Sequence, residues 1–303
     1  MTDNHTKDVR VLVMAEPAYG AGFTDTATKY LGQSLLNAYY DASGAQIYPM
    51  HFIKSDATFP LKEYTRDFID GPSLDYGARL EVNKSFNFKD ASFPMLCQSG
   101  AIDWLTQSLT DAQTDNSYAM HVEVDGKIIE SYGLVPKKYE FKMNNNDLHE
   151  ETVDFMYYDS LETGITITGV GKLNTGATAY WWKDGWITLG GAEITGFKEM
   201  SLTIENTYDD SLGKAGNPLD PATKTRNVEV SLTYRGTTPD VKYDLLSESF
   251  TKYDVIIARS TALNNFSGTD MTVSESDNNT IPGEKGYFET KVTLKATTGS
   301  AFS

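Results

Sequence analysis

The chain has 303 residues, with 42 Asp plus Glu against 26 Lys plus Arg, for a formal net charge of -16. That surplus argues against a protein that grips nucleic acid, because phosphate binding is driven by clustered lysine and arginine. It is compatible with plain solubility, and with a wall along which DNA slides without sticking. With 40% hydrophobic and 22% charged residues, the chain is globular in composition and long enough for one large core or two smaller ones.

Residues 1–7 are polar and no apolar run follows them, so no signal peptide is expected. No window is apolar for long enough to cross a bilayer as a helix. Cys97 is the one cysteine, which rules out an intrachain disulfide and fits folding in a cytoplasmic compartment. A first strand is predicted over 9–14, and the segment from Glu16 to Gly22 breaks it. Residues 30–40 read as a short helix, weakened by Gly32. Residues 41–75 hold Gly44, Pro49, Pro60, Gly71 and Pro72 without periodicity and are predicted to be a long irregular loop, a feature that in compact domains tends to be functional. Strand character returns over 76–88.

A helix is predicted over about 92–109. Ser92 would cap it and Pro94 would sit in its first turn. Leu96, Cys97, Ala101, Trp104, Leu105 and Leu109 would form its apolar stripe, with Cys97 a small buried residue rather than a nucleophile. Beyond residue 117 the pattern changes to period two. Residues 119–124 and 127–132 flank Asp125-Gly126, a strong hairpin signal. A second hairpin is predicted at Asp184-Gly185, between 180–182 and 186–189, and another strand over 165–172. Two strand–loop–strand units stand out, 139–143 with 152–157 and 200–204 with 228–234. Apolar and polar residues alternate in each, giving a sheet one dry and one wet face. Late strands are predicted over 253–258, 271–273 and 287–296. No linker divides the chain, so a single mainly β domain is expected.

Chemistry-bearing patterns are lacking. The four histidines, His5, His51, His121 and His149, have no metal-ligand spacing, and His149-Glu-Glu151 lacks the second histidine of a helical zinc site. Gly169-Val-Gly-Lys172 is followed by Leu173 where a phosphate loop needs Ser or Thr. There is no Gly-X-Ser-X-Gly elbow and no obvious Cys–His pair. Asp209-Asp210 and Asp277-Asn-Asn279 fall short of a calcium loop. No catalytic, cofactor-binding or metal-ligating residue is therefore assigned, and no enzyme is expected. The candidate interface residues are Trp181, Trp182 and Trp186, aromatics that can stack on sugars or fill a partner's pocket. A hairpin folded onto the core is an equally weighted reading. Trp181 and Trp182 are expected on opposite faces of any strand.

In this order the pieces resemble the tail tube proteins of tailed phages and archaeal tailed viruses. The resemblance rests on Glu16-Pro-Ala-Tyr-Gly20, on Tyr76-Gly-Ala-Arg-Leu-Glu-Val82 with the helix after it, and on the paired segments 133–143 and 150–155. The most persuasive match is Phe197-Lys-Glu-Met-Ser-Leu-Thr-Ile-Glu-Asn206 followed by Thr225-Arg-Asn-Val-Glu-Val-Ser-Leu-Thr-Tyr234. The resemblance implies a β-sandwich or barrel-like tail-tube domain with one flanking helix. It implies typically hexameric rings, joined sheet to sheet and stacked into a conduit for DNA ejection in the virion tail. It also implies tape-measure, tail-terminator and baseplate or tip proteins as partners, and DNA that passes without specific binding. The 41–75 segment and a C-terminal arm over 264–303 are the candidates for reaching a neighbouring subunit. The competing expectation is a β-sandwich carbohydrate-binding or adhesin-like surface protein, which the tryptophans would serve.

Overall fold

The computed structural model describes residues 10–16, 18–22, 39–40, 46–49, 56–70, 79–97, 102–110, 117–124, 127–162, 179–208, 223–235, 251–277 and 289–303. The first six strands are β1 (Arg10–Ala15), β2 (Tyr39–Tyr40), β3 (Gln46–Pro49), β4 (Lys62–Asp70), β5 (Arg79–Phe88) and β6 (Ala91–Leu96). A short helix, α1 (Trp104–Leu109), follows. Then come β7 (Tyr118–Val124), β8 (Lys127–Asn144), β9 (Glu150–Met156), β10 (Asp159–Glu162), β11 (Trp186–Leu189) and β12 (Ala192–Glu193). The last are β13 (Phe197–Tyr208), β14 (Thr223–Arg235), β15 (Lys252–Ala258), β16 (Phe266–Asp277), β17 (Glu289–Lys295) and β18 (Ala301–Phe302). The protein is mainly β, and no helix among the described residues is long and apolar enough to cross a membrane. The expected helix over 30–40 and strand over 165–172, with Gly169 and Lys172, fall mostly or wholly outside the described residues.

Among the described strands, all except β4 and β5 join one antiparallel sheet, whose main path runs β12-β11-β15-β16-β17-β14-β13-β8-β7-β1-β3-β2, with β6, β9, β10 and β18 paired off it. The long strand β8 is its pivot. Its first half pairs with β7 and β10, and its second half with β9 and β13. The exchange of partners falls where the ladder is interrupted. Gly133 has φ 66°, and a Cβ there would meet the Tyr158 Cβ at 2.4 Å. Pro136 has no N–H to donate, and the register shifts between Pro136 and Lys138.

A buried carboxylate holds this pivot. Glu16 accepts hydrogen bonds from the Gly22 N–H at 2.7 Å, the Gly133 N–H at 3.0 Å, the Gly20 N–H at 3.3 Å and the Ser117 hydroxyl at 2.6 Å. One side chain thus ties the turn after β1 to the kink in β8, which is a physical role for the Glu-Pro-Ala-Tyr-Gly segment. Replacing it would leave buried N–H groups without an acceptor. Glu16→Ala is expected to lose roughly 2–4 kcal/mol of stability in urea unfolding. A loss within error of zero would show that water substitutes for the carboxylate.

The period-two alternation explains the core. Phe141 lies opposite Leu202, Leu202 opposite Val230, and Val230 opposite Leu294, a row of buried side chains across four strands. The sheet also curls back on itself. The Tyr180 N–H donates to the Cys97 carbonyl at 3.0 Å, and the His149 N–H donates to the Tyr180 carbonyl at 2.9 Å. These bonds stitch the chain entering β11 to the β6–β9 side, and strands from both sides line one core.

Three expectations need correction. The helix does not span 92–109. Residues 91–96 are a strand, with Ser92 opposite Asp154 and Pro94 opposite Thr152, and the helix is only Trp104–Leu109. Ala91, Phe93, Met95 and Cys97 are buried at every second position, a period that outcompetes the three-and-four spacing once β9 is available. Pro94 is tolerated because β6 pairs with β9 as its one strand neighbour among the described strands. Cys97 is buried, as expected.

The segment 41–75 is not simply irregular. It contains β3, paired with β1, and β4, paired with β5 in a two-stranded sheet of its own. Finally, 264–303 is not a free arm. β16 and β17 lie inside the sheet between β15 and β14, because Phe266, Met271, Val292 and Leu294 are needed to fill the core.

Candidate functional site

The tryptophan segment sits where the sheet curls back. Asp184-Gly185 does not make a hairpin. Residues Trp182–Asp184 form one turn of 3-10 helix, held by the Trp181 N–H donating to the Asp184 carboxylate at 3.0 Å and the Asp184 N–H donating to the Trp181 carbonyl at 2.8 Å. Gly185 then passes close to β15, where a Cβ would meet the Ala258 carbonyl oxygen at 2.6 Å. The local hairpin is made instead by Gly190-Gly191 between β11 and β12. Both glycines have positive φ, 58° and 80°, as a two-residue turn of this hand requires.

The three tryptophans do not form one surface. Trp181 is 39% exposed and pairs through a β-bridge with Leu148, which is 40% exposed. The Lys183 ammonium lies 4.0 Å from the Trp181 ring centroid. Trp182 is half-buried, edge-on to both Trp181 and Phe197, each at 6.5 Å between centroids. Trp186 is also half-buried and lies in β11 opposite Ala258.

Beneath this segment is a buried ionic cluster that sequence patterning did not single out. The Arg259 guanidinium, at the end of β15, donates to Asp103 at 2.7 Å and lies 3.8 Å from the Glu151 carboxylate. It also donates to the Asn264 carbonyl at 3.0 and 3.2 Å. Asn264 and Thr106 donate in turn to Asp103, and Tyr139 donates to Glu151 at 3.1 Å. The cluster therefore fastens the start of α1 to β8, β9 and the β15–β16 turn. His149 is fully buried beside it, edge-on to Phe141 at 5.4 Å. Nothing in the local sequence around Arg259 or Glu151 marks the pair, since each partner is distant in the chain.

Burial pushes Glu151 up to about 7, against the opposing pull of Arg259 and the Tyr139 hydrogen bond. Burial pushes His149 down to about 4, with Asp184 opposing. Burial, then the Glu151 carboxylate, hold the Cys97 thiol far above its ordinary value. Arg259 and its hydrogen-bond partners hold Asp103 below its ordinary 3.8, although burial alone would raise it.

The two raised and lowered groups act in opposite directions on stability. Glu151 binds its proton more tightly when folded, so its contribution declines as pH rises from 4.5 to about 7. His149 binds its proton less tightly when folded, so its contribution grows as pH rises from about 4 to 6.5. Asp103 matters only below its ordinary value. Relative to the unmodified protein, Glu151→Gln is expected to gain stability as pH rises through the 4.5–7 window, by about 3 kcal/mol in total. His149→Gln should show the opposite trend over 4–6.5. Urea midpoints across pH would check this, and trends of the same sign would exclude the cluster as their origin.

One cleft of about 370 Å³ opens at the far end of the same strands. Its wall includes Phe88, Asp90, Lys137, Tyr157, Glu205 and Tyr208. It forms where Pro136 and the shifted register let β8 draw away from the end of β13. The Tyr208 hydroxyl donates to the Pro136 carbonyl at 2.6 Å, and the Tyr157 hydroxyl bridges the Leu61 and Lys89 carbonyls, so both rings are fixed in place. Among the described residues no group of three or more His, Cys, Asp or Glu side chains is placed to hold a metal ion.

No protein-family model matches the chain, and no curated protein matches it in sequence.

Proposed function

We propose that this chain is the tube-forming subunit of a tailed virus, assembling into hexameric rings that stack into the conduit for DNA ejection. The observation that carries the reading is the β4–β5 pair. Its strands of nine and ten residues form a two-stranded sheet apart from the large one. At ~3.4 Å per residue each strand is roughly 30 Å long. A two-stranded ribbon is marginal alone in water and gains most from a surface supplied by a neighbour. The continuous sheet beside it offers strand edges that a second copy can extend. Tape-measure, terminator and tip proteins would complete the structure, and the acidic surplus would keep DNA from adhering to the lumen.

Negative-stain electron microscopy of the purified protein tests this. Rings or hollow tubes of constant width are expected, and a monodisperse monomer at high concentration would overturn the proposal. The exposed Trp181 favours one second reading, a glycan-binding surface protein. Lys183 already occupies one face of that indole, and a monomer retaining glycans on an array is the result that would select this reading.

A further inference from the structure

The Trp181 segment and the cleft lie at opposite ends of the same strands. Leu148 and His149 precede β9, whereas Met156 and Tyr157, at and just beyond its end, line the cleft. Trp182 packs on Phe197, the first residue of β13, whereas Glu205 to Tyr208, its last residues, line the cleft. Twelve residues of β13 separate the two ends by roughly 40 Å.

The two ends are also complementary. One presents an exposed indole flanked by Leu148, with the Lys183 ammonium lying over the ring. The other is a preformed cleft with Phe88 and Tyr157 ring to ring at 5.3 Å, and the carboxylates of Asp90 and Glu205 in its wall. Lys89, also in the wall, is paired with Glu63 at 3.3 Å, so the carboxylates are not matched one for one by the wall's own lysines. Tryptophan is among the residues enriched at the energetic centres of interfaces, where it fills a well-packed pocket.

We infer that the partner of this cleft is a second copy of the chain. The Trp181 indole of one copy enters the Tyr157–Tyr208 cleft of the next, and Lys183 meets Asp90 and Glu205. The contact joins unlike patches at opposite ends of the molecule, so it is head-to-tail, and each copy docks one neighbour at each end. It rests on the tube reading and assigns the residues through which one ring would meet the next.

Cysteine pairing tests it cleanly, because Cys97, the only native thiol, is buried. Leu148→Cys, next to the retained Trp181 indole, and Thr207→Cys are made separately and together. Both positions are exposed, and far-UV circular dichroism checks the fold of each variant. A mixture of the two single variants under mild oxidation is expected to give a disulfide dimer that neither gives alone. The double variant should give a ladder of covalent oligomers. In parallel, Lys183→Glu should reduce the fraction of protein pelleted as tubes about tenfold, and Glu205→Lys in the same chain should restore it.

Tubes in the unmodified protein without the mixed disulfide, or without the charge-swap rescue, would overturn this contact and leave the tube reading standing. A dimer formed by Leu148→Cys alone would replace it with a symmetric contact. Absence of rings and tubes altogether would instead overturn the tube reading.

Discussion

Deleting residues 264–303 is expected to prevent folding rather than to release a dispensable tail. The deletion removes β16 and β17, which lie between β15 and β14, and β18, which pairs with β16. With them go Phe266, Met271, Val273, Val292 and Leu294, all buried. At roughly 1.5–3 kcal/mol for each buried side chain the loss is on the order of 10 kcal/mol, comparable with the total stability of a domain. The cut would also expose the facing edges of β14 and β15, a template for aggregation. Soluble expression, circular dichroism and urea unfolding of the truncated chain check this. A soluble product that unfolds cooperatively with a nearly unchanged midpoint would contradict the placement of β16 and β17. Removing only 297–303 should be mild, because that segment contributes the short strand β18 at one end of β16.

The second large effect is expected at Arg259. Arg259→Ala would strand Glu151, which is 5% exposed, and weaken the hold on Asp103 at the start of α1. Above the value of about 7 to which burial pushes Glu151, removing one member of this buried charge cluster costs about 3–5 kcal/mol, because the ionised partner keeps its desolvation penalty without its attraction. The cost falls at lower pH as Glu151 takes up a proton. Replacing both members by apolar residues of similar volume removes the penalty as well. Arg259→Met with Glu151→Leu should therefore recover most of the stability lost by Arg259→Ala, as measured by linear extrapolation from urea unfolding. If the double variant were as unstable as the single one, the guanidinium's hydrogen bonds to the Asn264 carbonyl would be the dominant loss instead. In either case the β15–β16 turn is held to α1 by Arg259 together with Asn264, whose amide donates to Asp103 and Thr106.

Much of the strand content was legible in the sequence because alternation is a local property. The residues expected to alternate at 139–143 and 200–204 do so, with Tyr139, Phe141, Met143, Met200, Leu202 and Ile204 buried. The two strands expected on either side of residues 125–126 are paired antiparallel, with Val124 opposite Lys127. Where two periods fitted, the local pattern chose wrongly. Residues 91–97 carry apolar side chains at every second position and also contribute to a helical stripe, and only pairing with β9 decided between them. Asp184-Gly185 has the composition of a hairpin turn, but the Asp184 carboxylate is used to close a 3-10 turn instead.

The candidate site was legible in part. Trp181 was recognisable as a candidate interface residue, but its separation from Trp182 and Trp186 depends on which of them meets Phe197 and which lies opposite Ala258. The cleft was not legible at all. It arises from the departure of β8 from β13 at Pro136, with walls drawn from four separate stretches of chain. The ionic cluster was invisible for the same reason, since Arg259, Asp103 and Glu151 meet only after the sheet has curled.

The amino-acid sequence by itself determined that this is a mainly β chain, and on most strands it determined which side chains face inward. A pleated backbone alternates its side chains whatever it pairs with, so that information is complete within each segment. Tertiary structure alone decided which strands are neighbours, that the C-terminal segment lies inside the sheet, and that a tryptophan end and an aromatic cleft lie at opposite ends of the same strands. Strand edges present the same row of N–H and C=O groups to any partner, so neighbours are selected by how side chains from distant segments fill one core together.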